Sequence, residues 1–191
     1  MIALFQLARE QDVPCFSAWS LRFGPHLDRV KSTPIGELPA VFAWGRAQTV
    51  PHRPDLLGYG IPTVEMLSAV IGTGCESVVR THTGDTDVIT GRWAGGKEAT
   101  VHGLRNAKGA GWGLQALGTT GMATSPRGQE SASELREIIK FFRTKVAPVP
   151  AAETIEVLAF AEAADESKRR GGPPVPIKEF IALNQPGRVV R

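Results

Sequence analysis

The chain has 191 residues, 42% of them hydrophobic, enough to bury a core in one domain or one domain plus a remnant and too many for a disordered chain. Its formal charge of +3 is scattered along the sequence apart from Lys168-Arg169-Arg170 and a tail bearing Arg188 and Arg191, which is too dilute for a nucleic-acid footprint. No stretch reaches the roughly 20 apolar residues of a membrane-spanning helix.

The opening MIALFQLAREQ carries Ile2, Leu4, Phe5, Leu7 and Ala8 at helical spacing among Gln6, Arg9 and Glu10, an amphipathic helix rather than a signal peptide. DVPCFSAW then supplies a compact apolar run that suits a buried strand, with Asp12-Val13-Pro14 as the break before it. A helix over about Pro25 to Ser32, with Leu27 and Val30 inward, completes this opening. AVFAWGRAQTV alternates Phe42 and Trp44 against Val41 and Ala43, as a half-buried strand does.

GYGIPTVEML, residues 58–67, reads as a glycine turn entering a helix from about Pro62 to Gly72. Strand-like runs follow at Ser77 to His82, Val88 to Trp93, Ala99 to Leu104 and Trp112 to Leu117. Gly84-Asp85, Gly95-Gly96 and Lys108-Gly109-Ala110-Gly111 separate them, and Gly95-Gly96 is a two-residue hairpin signal. The pattern predicts an antiparallel meander whose open face carries Thr90, Arg92, Thr100 and His102. Ser131 and Glu134 form a capping box for a helix with Leu135, Ile138, Ile139 and Phe142 at i, i+3, i+4 and i+7. The next helix has Glu153 and Glu156 near its start, Lys168 to Arg170 near its end and Val157, Phe160, Ala161 and Ala164 on one face. A last short helix spans about Ile177 to Leu183. The expected class is α+β, an open, mainly antiparallel sheet backed by helices, with a short αβ remnant at the N-terminus.

The candidate chemistry is sparse. Cys15 and Cys75 make neither a disulfide framework nor a zinc set, which favours a reducing, cytoplasmic setting. His82 and His102 on neighbouring strands fall short of a metal site, and Asp85 and Asp87 read as turn chemistry. His26 and His52 are expected to meet water, and Lys168 to Arg170 to form a solvated helix end.

Three pieces in order resemble one family. DVPCFSAWSLRFGPHLDRVKSTPIGEL is similar to the junction between the nucleotide-binding and substrate halves of the Gfo/Idh/MocA oxidoreductases, GYGIPTVEMLSAVIGTGCESVV to the helix opening their second domain, and ETIEVLAFAEAADESKRRGGPPVPI to their closing helix and the short strand after it. The resemblance implies residues 1–34 as the end of a dinucleotide-binding domain and 35–191 as the α+β substrate and oligomerisation domain. It implies NAD(P)-dependent oxidation or reduction of a sugar or cyclitol hydroxyl, and homo-oligomers paired through the open sheet face. The family's Gly-x-Gly-x-x-Gly turn and Glu-Lys-Pro segment do not occur, so the expected reading is a truncated or degenerate member, about 100 residues short, that binds no dinucleotide and does not turn over alone. Where the family shows Asp-x-Gly-x-His, this chain has Gly58, Gly60 and Pro62. Proline cannot exchange a proton, so no catalytic residue is assigned, and none for cofactor or metal.

Four residues are candidates for a small sugar-like ligand. Arg22 matches a family arginine near cofactor and substrate, or is a surface arginine beside Phe23; Trp19 and Tyr59 could line an apolar ring face, or pack in the core; Glu65 could accept from a hydroxyl, or favour the helix dipole. Two rival readings stand beside the first: a non-catalytic oligomerisation or binding module pairing through its sheet, and an enzyme completed by a partner chain bearing the nucleotide fold.

Overall fold

A computed structural model describes residues 1–48, 52, 55–58, 60–106, 111–125 and 132–183. Helices α1 (Ile2–Glu10), α2 (Pro25–Ser32), α3 (Ile61–Ile71), α4 (Ser133–Thr144), α5 (Ala151–Arg169) and α6 (Lys178–Leu183) accompany strands β1 (Ala40–Arg46), β2 (Cys75–His82), β3 (Thr86–Trp93), β4 (Glu98–Leu104), β5 (Gly113–Leu117), β6 (Met122–Thr124) and β7 (Val175–Pro176). The strands form one sheet in the order β6-β5-β1-β4-β3-β2-β7. The class is α+β, an open mixed sheet backed by helices.

The meander holds only for β2-β3-β4. β1 inserts between β4 and β5, parallel to β4 with Trp44 opposite His102, and antiparallel to β5 with Phe42 opposite Gln115. Alternation fixes which face a side chain takes and carries no information about the neighbouring strand, so the crossover was not visible in the pattern. Between β3 and β4, Gly95 and Gly96 take the expected positive φ, 80° and 82°, but inside a longer connection from Trp93 to Glu98 rather than in a two-residue turn.

One sheet face is covered by helix. Val41, Ala43, Val78, Ile89, Ala99 and Val101 point from it into the core, where α3 and α5 supply Val64, Met66, Leu67, Val157, Phe160 and Ala164. Phe160 reaches close enough to β3 that a Cβ on Gly91 would meet its ring at 2.6 Å, and burying a ring of this size contributes on the order of 2–3 kcal/mol. The other face carries Phe42, Trp44, Val88, Thr90, Thr100 and His102, half-buried or more open. Phe42 stacks edge-on against His102 with centroids 4.9 Å apart, and Thr90 Oγ1 lies 3.3 Å from Thr100 Oγ1.

The N-terminal segment departs from expectation. Residues 13–19 form neither helix nor strand and join no ladder among the described residues. The helix before them, α1, buries none of its residues. In α4 only Phe141 is buried, so the periodic Leu135, Ile139 and Phe142 lie in solvent. Ser131 of the expected capping box, Tyr59 and the turn at 107–110 lie outside the described residues.

Candidate functional site

The turn ahead of α3 was the place to look for chemistry. Gly60 is the N-cap in right-handed helical geometry, with no side-chain cap; the Thr63 and Val64 amides donate back to its carbonyl at 3.1 and 3.3 Å. A Cβ on Gly60 would sit 2.4 Å from Leu56 Cδ1 and 2.8 Å from Leu56 O, so this glycine is required by packing within its own turn. Pro62 is buried and occupies the first turn, where it removes one of the free amides that a helix mouth offers an anion. The turn therefore does not fit a dinucleotide pyrophosphate, which needs open glycine backbone and free N–H groups.

Two orphan donors lie beside that mouth. A Cβ on Gly45 of β1 would stand 2.2 Å from Thr63 Oγ1 and 2.9 Å from Trp112 Nε1, so glycine lets β1 approach both groups. Neither atom has a hydrogen-bond partner, although both are buried. The Arg46 guanidinium lies over the Trp112 ring at 5.3 Å. Sequence reasoning missed Thr63 and Trp112, since a Thr in a helix and a Trp at a strand start carry no signal of their own.

Of the residues singled out for ligand, the structure joins two. Arg22, in the 3-10 turn 20–23, is buried and donates from Nη1 to Glu65 on α3 and from Nη2 to Glu153 at the start of α5. Burial pushes the Glu65 carboxyl above its ordinary range, against the pull of the Arg22 charge. Glu156, one turn further along α5, accepts from the Gly74 and Cys75 amides at 2.7 and 2.9 Å and so caps the start of β2. Trp19 is largely exposed, and no side-chain hydrogen bond or ring contact joins it to Arg22 or Glu65 among the described residues. His26, expected to meet water, is buried; its Nε2 has no partner and burial lowers its pKa.

A second polar cluster holds the turn from below. Arg80 on β2, 1% exposed, donates Nε and Nη2 to Asp87 Oδ1 at 2.9 and 2.7 Å, Nη2 to Asp55 Oδ2 at 2.9 Å, and Nη1 to Asp165 on α5. Lys168 Nζ donates to Asp55 at 2.5 Å, Arg105 Nη2 reaches Asp55 at 3.2 Å, and Arg105 Nη2 lies 2.6 Å from Asp87 Oδ2 without hydrogen-bond alignment. Asp165 also accepts the Leu56 amide at 3.2 Å, which ties the turn to α5. Two sequence readings are corrected here. Asp87 is an ion partner with no exposure rather than a turn residue, and Lys168 faces this cluster, while Arg169 and Arg170 do remain at the surface, on Glu166. Three carboxylates match three cations, so the cluster is close to neutral and self-satisfied. Among the described residues no group of three or more His, Cys, Asp or Glu side chains is placed to hold a metal ion.

The cluster makes stability depend on pH. Burial raises Asp55, but hydrogen bonds from Lys168 and Arg105 outweigh it and hold the carboxyl at about 2, against an ordinary 3.8. A depressed carboxylate stabilises the fold above its unfolded pKa and loses that contribution as pH falls through the folded one. Thermal melts should therefore fall between about pH 4 and pH 2 by on the order of 2 kcal/mol more than those of Asp55→Asn. Asp165 works in the opposite sense, since burial raises its carboxyl despite Arg80, and the paired comparison removes its contribution. Parallel acid curves for the two proteins would contradict the assignment.

No family model and no curated protein matches the sequence. Solved structures do match. A candidate myo-inositol dehydrogenase of Sinorhizobium meliloti 1021 superposes with a TM-score of 0.76 at 17% identity, over 92% of this chain and 69% of its own. The apo scyllo-inositol dehydrogenase of Lactobacillus casei gives 0.72 at 12% identity, over 91% and 67%. GenD2 from gentamicin A biosynthesis, solved in complex with NAD, gives 0.70 at 15% identity, over 88% and 65%. The chain has the Gfo/Idh/MocA fold. It spans about two thirds of the length of these proteins. The short strand expected after the closing helix is β7. No helix among the described residues is long and apolar enough to cross a membrane.

Proposed function

We propose that this chain is a Gfo/Idh/MocA-type oxidoreductase scaffold, with residues 1–34 as the end of a nucleotide-binding unit and 35–191 as the substrate and oligomerisation domain, which has lost proton transfer at the mouth of α3. The fold supports the lineage, and its relatives' names point to NAD(P)-dependent chemistry on a sugar or cyclitol hydroxyl. The observation that carries the reading is Pro62, buried in the first turn of α3 where the resemblance calls for a histidine. A general acid or base must titrate near working pH and reach the substrate by hydrogen bond. Pro62 does neither. Glu65, one turn on, is engaged by Arg22 and cannot present a free carboxyl.

Binding is a separate matter from turnover. Thr63 Oγ1 and Trp112 Nε1 are unpartnered beside Gly45 but shielded from solvent, so a polyol oxygen would reach them only if β1 or the start of β5 moved. Pairing of two copies through the open sheet face, with Phe42, Trp44, Thr90 and His102 inside, would complete the domain as an oligomer in the cytoplasm, where Cys15 and Cys75 stay free. Incubated with NAD+ and myo-inositol, the chain should give no rise in NADH absorbance. Turnover by the wild-type chain would overturn the reading.

A further inference from the structure

The open face of the sheet has a titratable group at its middle. In the strand order β4 is the fourth of seven strands, and alternation turns its half-buried Thr100 and His102 to that face. His102 stands edge-on to Phe42 of β1 at 4.9 Å between centroids, with Trp44 of β1 and Val88 of β3 as its register partners. Trp44 reaches on across β5, where a Cβ on its partner Gly113 would meet the indole at 2.0 Å. Glycine there lets the aromatic floor run from β4 to β5.

The fixed charges on the strands around His102 stand away from it. Arg46 closes β1, two residues beyond Trp44, with its guanidinium over the Trp112 ring at 5.3 Å. Arg92 of β3 and Glu98 of β4 pair with each other at 3.0 Å at the opposite end of those strands, 72% and 51% exposed. Glu98 is thus four positions from His102 along β4 and already engaged. Asp87, next to Val88, turns to the helix side and meets Arg80, and Arg105 follows it there. From β5 and β2 the same face receives Gln115, Val79 and Thr81, all uncharged.

A twofold contact maps its patch onto itself, so the axis passes through the centre of the patch and residues there meet their own copies. When two sheets pair face to face, the two His102 rings approach each other among the aromatic side chains of both chains. Neutral imidazoles suit that setting. Two imidazolium ions there face a like charge, with water excluded and no carboxylate placed to compensate. Resting on the pairing through the sheet face set out above, we propose that His102 gates it by pH, so that the sheets associate while His102 is neutral and separate when it is protonated. The sign follows from linkage. The paired state binds fewer protons than the separated chains, so association is favoured above the range in which imidazole gains its charge and is lost as pH falls through it.

Sedimentation equilibrium of the full chain at pH 7.5 and 5.5 and one ionic strength tests this, with far-UV circular dichroism at each pH as the check on folding. The wild type should be a dimer of 20.5 kDa chains at pH 7.5, and its dissociation constant should rise about tenfold or more at pH 5.5 with the dichroism unchanged. His102→Gln should dimerise to within about threefold equally at both pH values. His82→Gln, at the exposed end of β2, should keep the wild-type dependence, and Thr90→Arg should be monomeric throughout. A chain that is monomeric at pH 7.5, or a dimer that survives Thr90→Arg, overturns the sheet pairing and the gate with it. A dimer that Thr90→Arg disrupts but pH does not, or whose pH dependence persists in His102→Gln, overturns the gate and leaves the pairing standing. Dissociation accompanied by loss of dichroism assigns the acid effect to unfolding, where buried His26 is freed to take up a proton, and likewise overturns the gate.

Discussion

Arg80→Met is expected to lower the free energy of unfolding by about 3–5 kcal/mol, read as a shift of the urea midpoint at neutral pH. The cost does not come from losing an attractive contact alone. Among the described residues Arg80 is the only cation that reaches Asp87, Asp55 and Asp165 together, and without it Asp87, which has no exposure, keeps among them only the unaligned Arg105 contact. An uncompensated buried carboxylate is far more expensive than the pair was favourable. Asp87→Asn in the Arg80→Met background should therefore recover part of the loss, because it removes the stranded charge. A single variant within about 1 kcal/mol of wild type would mean that water or other groups already solvate the cluster.

Arg22→Met should cost a similar amount, again about 3–5 kcal/mol at neutral pH, and with a distinctive pH dependence. Glu65 is buried and its carboxyl already lies above the ordinary value of 4.5 through burial, with Arg22 restraining the rise. Removing Arg22 releases that restraint, so the folded variant holds the Glu65 proton that the unfolded chain gives up. A raised folded pKa contributes stability below the unfolded pKa that is lost as pH climbs through the folded one. The variant should therefore be closest to wild type near pH 4 and fall behind it as pH rises above about 4.5. Glu65→Gln added to Arg22→Met should flatten that dependence. Melts of the single variant that run parallel to wild type from pH 4 to 8 would show that Glu65 is solvated.

Which features could be read beforehand follows from what a sequence pattern encodes. Periodicity placed α2, α3 and α5 and strands β1 to β5 within a few residues, because each has one face that must be buried. It missed β1 lying parallel beside β4, since strand order is decided by how α3 returns over the sheet. It read DVPCFSAW as a strand, yet an apolar run becomes a strand only where a neighbour supplies hydrogen bonds, and among the described residues none does. At the site, Arg22 and Glu65 were both singled out, but 43 positions separate them, and no local rule could show that they partner each other. Asp87 read as turn chemistry and Lys168 as part of a solvated helix end, while Asp55, Asp165, Arg80 and Arg105 carried no signal of their own. Their common property is convergence, which exists only in three dimensions.

The central claim is that the sequence carries no Gly-x-Gly-x-x-Gly cradle for a dinucleotide and that the mouth of α3 does not replace it: Leu56 fills the space against Gly60, and Pro62 supplies neither a free amide nor a proton. Calorimetric titration of NAD+ into the 191-residue chain tests it most directly. The account predicts no binding tighter than about 1 mM, the level at which a closed helix mouth offers a pyrophosphate no more than surface contacts. Saturable one-to-one binding with a dissociation constant of about 10 µM or below would contradict it.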